Sequence, residues 1–343
     1  MDHVSAAASE SNSYEPRAST KPTAGASPSH RYRWGAHWVA LAAAAFTWPL
    51  LFVGGLVTTY KVGMAVPDWP TTFGINMFLY DFTNAAWGVF VEHGHRLYGS
   101  AVGLCSIALT AWFWIGRQRP SMRWLSLAAL AAVIFQGVLG GIRVRWISTE
   151  LALFHGCFGQ LFFGLMTAIA VMTGRTWLET SPRSVPDPGR IRFWAIATVG
   201  VVYAQVIAGA WTRHYHKDLE IHAIGAFLVL AASHMLFWRV RRHRDAVPEM
   251  SAPSFALAGL LILQISLGIA SWLLLRPFDG FPRAANTNLE ALIATGHQAN
   301  GALVLATTVV LALRACRRLT NESSVVSPIN NSNAAPNEWE FAS

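Results

Sequence analysis

The chain has 343 residues, 53% of them hydrophobic and only 13% charged, with a mean hydropathy of +0.35. A soluble domain carries about 25% charged residues, so this composition excludes an ordinary soluble fold and specifies an integral membrane protein. The net charge of +8 gathers at the ends of apolar runs, where basic residues set topology, and this excludes a nucleic-acid surface.

Residues 1–34 are rich in Ser, Ala and Pro and hold no apolar signal-peptide core. They are predicted to form a disordered tail. Eight apolar runs follow, at 36–57, 85–116, 124–142, 151–172, 193–211, 221–238, 255–275 and 289–313. About 20 mainly apolar residues cross a bilayer, so the fold class is all-α with eight transmembrane helices. The links after runs two, four and six carry eleven Lys and Arg, against seven after runs one, three, five and seven. By the positive-inside bias both termini are cytoplasmic. Residues 316–343 read as a second disordered cytoplasmic tail. The absence of a transit peptide favours a bacterial inner (cytoplasmic) membrane.

Cys105, Cys157 and Cys316 form no CxxC pair, so neither a redox dithiol nor a thiolate metal site is indicated. Buried cysteine as a small apolar filler suits the first two.

An internal repeat organises the runs. Gln136-Gly137-Val138-Leu139-Gly140 in run three is echoed by Gln205-Val206-Ile207-Ala208-Gly209 in run five and Gln264-Ile265-Ser266-Leu267-Gly268 in run seven. Each leads through an outer link with arginine to a helix with histidine near its start. His95, His155, His222 and His297 each precede a glycine by three or four residues: Gly99, Gly159, Gly225 and Gly301. The chain is thus four helical hairpins, grouped as an N-terminal half (35–174), a cytoplasmic linker (175–192) and a C-terminal half (193–315).

The four histidines lie within about 15 Å of the outer ends of their helices. A lone intramembrane histidine is ordinarily a packing residue, but four at repeated positions point to ligation. If each half is a bundle they form two facing pairs, the axial arrangement for haem iron. The glycine one turn on would clear space for a flat macrocycle. Arg143, Arg145, Arg213 and Arg276 at outer helix ends are candidate propionate contacts. A di-iron carboxylate bundle or a catalytic zinc site would need more ligands than any stretch supplies. His30, His37, His93, His214, His216, His234 and His243 are read as packing or surface residues.

Glu92 breaks the repeat. It sits in Glu92-His93-Gly94-His95-Arg96, three residues before His95 and so on the same helix face. A charge at mid-membrane costs about 2.5–3.5 kcal/mol, so it must be paired or face a polar cavity. It is either an ion pair with Arg96 or a carboxylate aimed into the first haem pocket, stabilising charge or moving protons.

Gly54-Gly55-Leu56-Val57-Thr58, Pro67-Asp68-Trp69-Pro70, Glu92 to Arg96, Gln136 to Gly141 and the later histidines together resemble the haem A synthase family over about residues 36–315. The resemblance implies two pseudosymmetric four-helix bundles and oxidation of the C8 methyl group of haem O to a formyl, giving haem A for terminal oxidases. It implies a haem b cofactor on His222 and His297, substrate haem on His95 and His155, and Glu92 as the catalytic carboxylate. Haem O synthase (a farnesyltransferase) is the implied upstream partner; the electron donor and any homo-oligomer are left open. Many members carry a cysteine pair in the first outer link; here Thr58 to Ala85 has none. The competing readings are a non-catalytic di-haem b cytochrome in quinone-linked electron transfer, which leaves Glu92 unexplained, and a transporter, for which the histidine helices lack breaks.

Overall fold

Helices dominate because the backbone amides of an apolar run can be satisfied in hydrocarbon only within the run itself. The computed structural model describes residues 33–275 and 285–320. Among these are α1 (Trp34–Thr59), α2 (Trp87–Ile115), α3 (Pro120–Arg145), α4 (Thr149–Thr173), the short α5 (Arg175–Leu178), α6 (Pro188–Tyr215), α7 (Leu219–Arg242), α8 (Pro248–Leu275) and α9 (Asn288–Arg318). All but α5 are long and apolar enough to cross a membrane, at 24 to 31 residues, as the eight runs require. Most of the expected N-terminal tail (α1 opens at its last residue, Trp34), most of the C-terminal tail, and Arg276 with Arg283 lie outside the described residues.

Most of the helices extend a few residues past the apolar stretches, and three of them start at a side-chain cap. Ser148 accepts from Leu151 N at the start of α4, and Asp187 accepts from Arg190 N at the start of α6. Thr287 and Glu290 form a reciprocal capping box on α9, which satisfies two otherwise orphaned donors. Pro120 and Pro188 occupy first-turn positions, where no amide is needed. The internal prolines, Pro49 and Pro253, fall in α1 and α8, neither of which carries a predicted ligand.

In the N-terminal half α1 packs on α2 and α4, and α3 packs on α2 and α4. In the C-terminal half α6 packs on α7 and α9, and α8 packs on α7 and α9. Each ring of four has its own core: one joins Ala40, Leu109, Phe113, Met166 and Ile169, the other Val202, Leu236, Leu257, Leu305 and Leu311. The rings meet where α1 and α4 contact α9, and α4 contacts α6. There Phe163, Ala302 and Ala306 form a small apolar cluster with Trp48 and Leu51, and Trp48 Nε1 donates to Ala299 O. Small residues let helices approach closely in a membrane, where hydrophobicity does not drive association.

At the end away from the histidines, Arg183–Ser184 (β3) pairs in parallel with Leu319–Thr320 (β4). Arg318, 1% exposed, donates to Ser181 O and lies 3.9 Å from Glu249. Ordered structure therefore continues past residue 315.

The first outer link is folded rather than slack. Thr71–Thr72 (β1) and Ile75–Asn76 (β2) form a hairpin turning through Phe73 and Gly74, both at positive φ (51° and 78°), as a two-residue turn of this hand requires. Asp68 accepts from Phe73 N at 2.8 Å and Gly74 N at 2.9 Å, and from the Thr71 hydroxyl. Burial would raise its pKa, but these hydrogen bonds together outweigh it and hold the carboxyl at about 2, below its usual 3.8. A depressed carboxylate pKa stabilises the folded link above 3.8, and that support is lost as pH falls towards 2. Protection of the Phe73 and Gly74 amides, corrected for intrinsic exchange, is therefore expected to hold from neutral pH to about 4 and to fall below it; Asp68→Asn should remove the dependence.

Candidate metal centres between facing imidazoles

The predicted ligands converge two by two. The His95 and His155 ring centroids are 6.3 Å apart at 81°, and those of His222 and His297 are 6.2 Å apart at 79°. A metal–imidazole bond is about 2.0–2.1 Å, so two rings on opposite sides of one ion place their centroids roughly 6 Å apart. Both pairs meet that spacing. Among the described residues no group of three or more His, Cys, Asp or Glu could hold a metal ion. A centre with two axial protein ligands, with a macrocycle supplying the rest, is the geometry these residues fit.

Each ring is placed by a glycine on the preceding long helix. A Cβ at Gly54, Gly140, Gly209 or Gly268 would lie 2.9, 2.9, 2.8 and 2.9 Å from Cε1 of His95, His155, His222 and His297 respectively. No larger residue fits without moving the imidazole. The later glycines have a different task from the one expected. Gly159, Gly225 and Gly301 face the side chains of Gln136, Gln205 and Gln264, so they admit a glutamine rather than a macrocycle. Gly99 alone of the four has open space, with nothing within 4 Å of its would-be Cβ.

These glutamines are the site residues that sequence reasoning did not assign, although Gln-x-x-x-Gly was visible as a repeat. Gln136 Nε2 donates to His155 O at 2.7 Å, and Gln205 Nε2 to His222 O at 2.7 Å. Gln205 Nε2 also lies 3.1 Å from His222 Nδ1. His297 Nδ1 lies 3.0 Å from Gln264 O; donation to that carbonyl leaves Nε2 its lone pair, the tautomer a metal ligand needs. Asn300 Nδ2 donates to Gln264 Oε1 at 2.7 Å and to Leu260 O at 2.9 Å, which fixes the amide of Gln264. The first pair is unlike the second: His95 Nδ1 and His155 Nδ1 are buried without a hydrogen-bond partner. In the first hairpin Leu50 stands where the others have glutamine.

Glu92, 2% exposed, stands three residues before His95 on α2 and forms the ion pair with Arg96 that was one of its two readings. Its Oε1 accepts from Arg96 Nη2 at 2.9 Å and its Oε2 from Val66 N at 2.9 Å. Arg96 also donates to Val66 O and Asp68 O at 2.7 Å and to Thr71 O at 3.2 Å. The pair therefore ties the outer link to α2. His93, fully buried, adds a 3.0 Å contact to Thr72 Oγ1 and packs on Tyr80 and Phe82, which agrees with its reading as a packing residue.

Of the candidate propionate contacts, Arg143 reaches Gly63 O at 3.5 Å and is within electrostatic range of Glu92 and Arg96. Arg213 is engaged by protein: it donates to Gln298 Oε1 at 2.6 Å, to Gly55 O at 2.9 Å and to Thr59 Oγ1. It thereby links α6 to α1 and α9, next to Gly54 and His297. Arg145 is exposed, and Arg276 lies outside the described residues.

The glycine contacts make a test with an internal control. Gly268→Ala is expected to weaken haem binding at the second pair about 10–100-fold, the usual cost of disturbing a ligand's support. Gly259→Ala on the same helix, with nothing within 4 Å, should leave it unchanged. Titration of the purified protein with haem, followed by low-spin absorbance, checks both.

The chain matches the model of a family described as cytochrome oxidase assembly protein (COX15-CtaA) over residues 36–221. That span is more than half the chain; it takes in Glu92 and the first imidazole pair and stops one residue short of His222. Similar curated proteins are named haem A synthase. One from Symbiobacterium thermophilum is 27% identical over 266 residues, covering 67% of this chain and 83% of the relative. One from Shewanella oneidensis is 22% identical over 337 residues, covering 80% and 94%. A third, from Alkalihalophilus pseudofirmus, is 30% identical over 179 residues, covering 50% and 57%. A family model matched over more than half of the chain, with similar proteins of one name along most of its length, shows that the chain belongs to the haem A synthase (COX15-CtaA) family of cytochrome oxidase assembly proteins.

Proposed function

We propose that this multi-pass membrane oxidoreductase is itself a haem A synthase, oxidising the C8 methyl group of haem O to a formyl. The observation that carries the reading is the presence of two near-identical imidazole sites, with, among the described residues, a buried carboxylate one helical turn from a ring in the first alone: Glu92, three residues before His95. The N-terminal half would take the substrate haem between His95 and His155, and the C-terminal half would hold haem b between His222 and His297. The two rings of helices, each with its own core, support a division into two related bundles. Both termini on the cytoplasmic side of a bacterial inner membrane suit the charge bias, and haem O synthase is the natural upstream partner.

Bound haem b supplies one-electron transfer. The remaining work falls to the chain. Gly54 and Gly140 set the ring positions that fix the substrate's plane against α2 and α4. Nδ1 of both rings is free of protein hydrogen bonds, which suits a ligand pair that must release its product. Both Glu92 oxygens already accept hydrogen bonds, so the carboxylate acts by its fixed negative charge, stabilising positive charge that develops near the oxidised carbon. Arg96 and Val66 N–H hold it in place for that purpose. Each of two successive hydroxylations would replace one C–H bond of the methyl with C–OH, the oxygen atom and the two-electron oxidation coming from dioxygen or from water with an external electron acceptor, and the gem-diol would then lose water to give the formyl.

Expression in a host that makes haem O but no haem A tests the reading. Extracted haem should include haem A or its hydroxymethyl precursor, whereas only unchanged haems b and O would point to a di-haem electron carrier. Glu92→Gln is expected to retain bound haem and to form no haem A; unaltered formation would refute the role given to Glu92. His222→Ala and His297→Ala should each deplete co-purifying haem b, measured as the pyridine haemochromogen.

A further inference from the structure

At the end of the molecule opposite the imidazoles, a cavity lies between α6 and α7. The outer ends of these two helices are held together by a three-residue link, His216-Lys217-Asp218, with His216 and Asp218 both at positive φ. At the other end, the start of α6 and the close of α7 enclose the cavity, of about 570 Å³. Its lining is apolar at Ile191, Met235 and Trp238 and basic at Arg190, Arg239, Arg242 and His243. The lining has one opposing carboxylate, Asp187, already paired with Arg190 at 3.0 Å. Arg239 Nε is buried and has no hydrogen-bond partner.

Two explanations compete for this cluster. Topology alone would place arginines at this end of α7, and such residues ordinarily extend into water. A topogenic role does not account for a guanidinium nitrogen buried without a partner. Nor does it account for a cavity whose walls change from apolar to cationic over the last two turns of a spanning helix. Met235 and Trp238 are exposed at 36% and 61%, so the apolar side is open towards the acyl chains. An amphiphile with an anionic head meets both halves of that requirement. Basic pockets between transmembrane helices are recognised sites for anionic headgroups, and guanidinium groups match phosphate oxygens in pairs.

We propose that the cavity between the start of α6 and the end of α7 is a binding site for an anionic phospholipid. Its phosphate is held by Arg239 and Arg242, and its acyl chains lie along Met235 and Trp238. A free phosphate shares the headgroup chemistry but has no use for the apolar wall, so the lipid is the occupant the whole surface fits.

Thermal unfolding of the full chain in detergent, titrated with phosphatidylglycerol, phosphatidylcholine or inorganic phosphate, tests this. Phosphatidylglycerol is expected to raise the melting temperature at concentrations where the other two do not. Each surface arginine contributes about fivefold in affinity for an anionic lipid, so Arg239→Gln with Arg242→Gln should need roughly 25-fold more phosphatidylglycerol for the same rise. Asp187→Asn keeps a capping side chain and removes the opposing charge; it should need several-fold less, a gain that misfolding cannot produce. Equal effects of phosphatidylcholine, an unchanged titration in the double variant, or inorganic phosphate matching the lipid would each overturn the proposal.

Discussion

Four times in this chain an imidazole rests against a glycine of the preceding long helix, and the site depends on that contact. A polar ring in hydrocarbon needs a fixed partner or it is a liability. The glycine brings the two backbones close enough to set the ring's position without a side chain to flex. Because each hairpin solves the problem in the same way, two hairpins brought face to face yield rings about 6 Å apart. The separation of the second pair reproduces that of the first to within 0.1 Å. The even spacing follows from repeating one local device, and each ring of four helices carries one pair and has its own core.

On that common plan the two pairs differ in how firmly their rings are held. In the second, Gln264 and Asn300 form a chain of amides that ends at His297, and Gln205 holds His222 by ring and carbonyl. In the first, Leu50 replaces the glutamine, both Nδ1 atoms lack partners, and the polar reinforcement is moved outward. Glu92, Arg96 and His93 brace the link that folds over α2, while Trp69 of the same link packs against Gly141. A tightly held pair and a loosely held one are what a resident cofactor and an exchanging substrate would ask for. Arg213 connects them, bonding on one side to the residue after His297 and on the other to the turn after Gly54.

Much of this could be read from the residues. Eight apolar runs separated by charged links leave a membrane chain few options, and the helices differ from them by a few residues at their ends, as at Pro188 and Tyr215, where polar residues hide the last turn. The histidines stood out because their repetition at one depth is costly, and Glu92 because nothing else matched it. What was hidden was the reciprocal use of small and polar residues across a hairpin. Gly159, Gly225 and Gly301 were legible as missing side chains, but what filled the space was a glutamine from another helix, and no single-helix argument places that. The same limit applies to Arg213, whose outer-end position suggested a ligand contact while its partners lie on α1 and α9. The hairpin at Phe73-Gly74 was also missed: four paired residues in a polar link are too short a strand signal to separate from a loop.

The central claim is that each imidazole pair takes one iron porphyrin between its rings. The direct measurement is haem stoichiometry and electron paramagnetic resonance of the purified, haem-supplied chain, repeated after His95→Ala and His297→Ala. The account predicts two low-spin bis-histidine centres per chain, with each substitution abolishing one signal and leaving the other. A colourless protein, or a single substitution that removes neither centre, would contradict it.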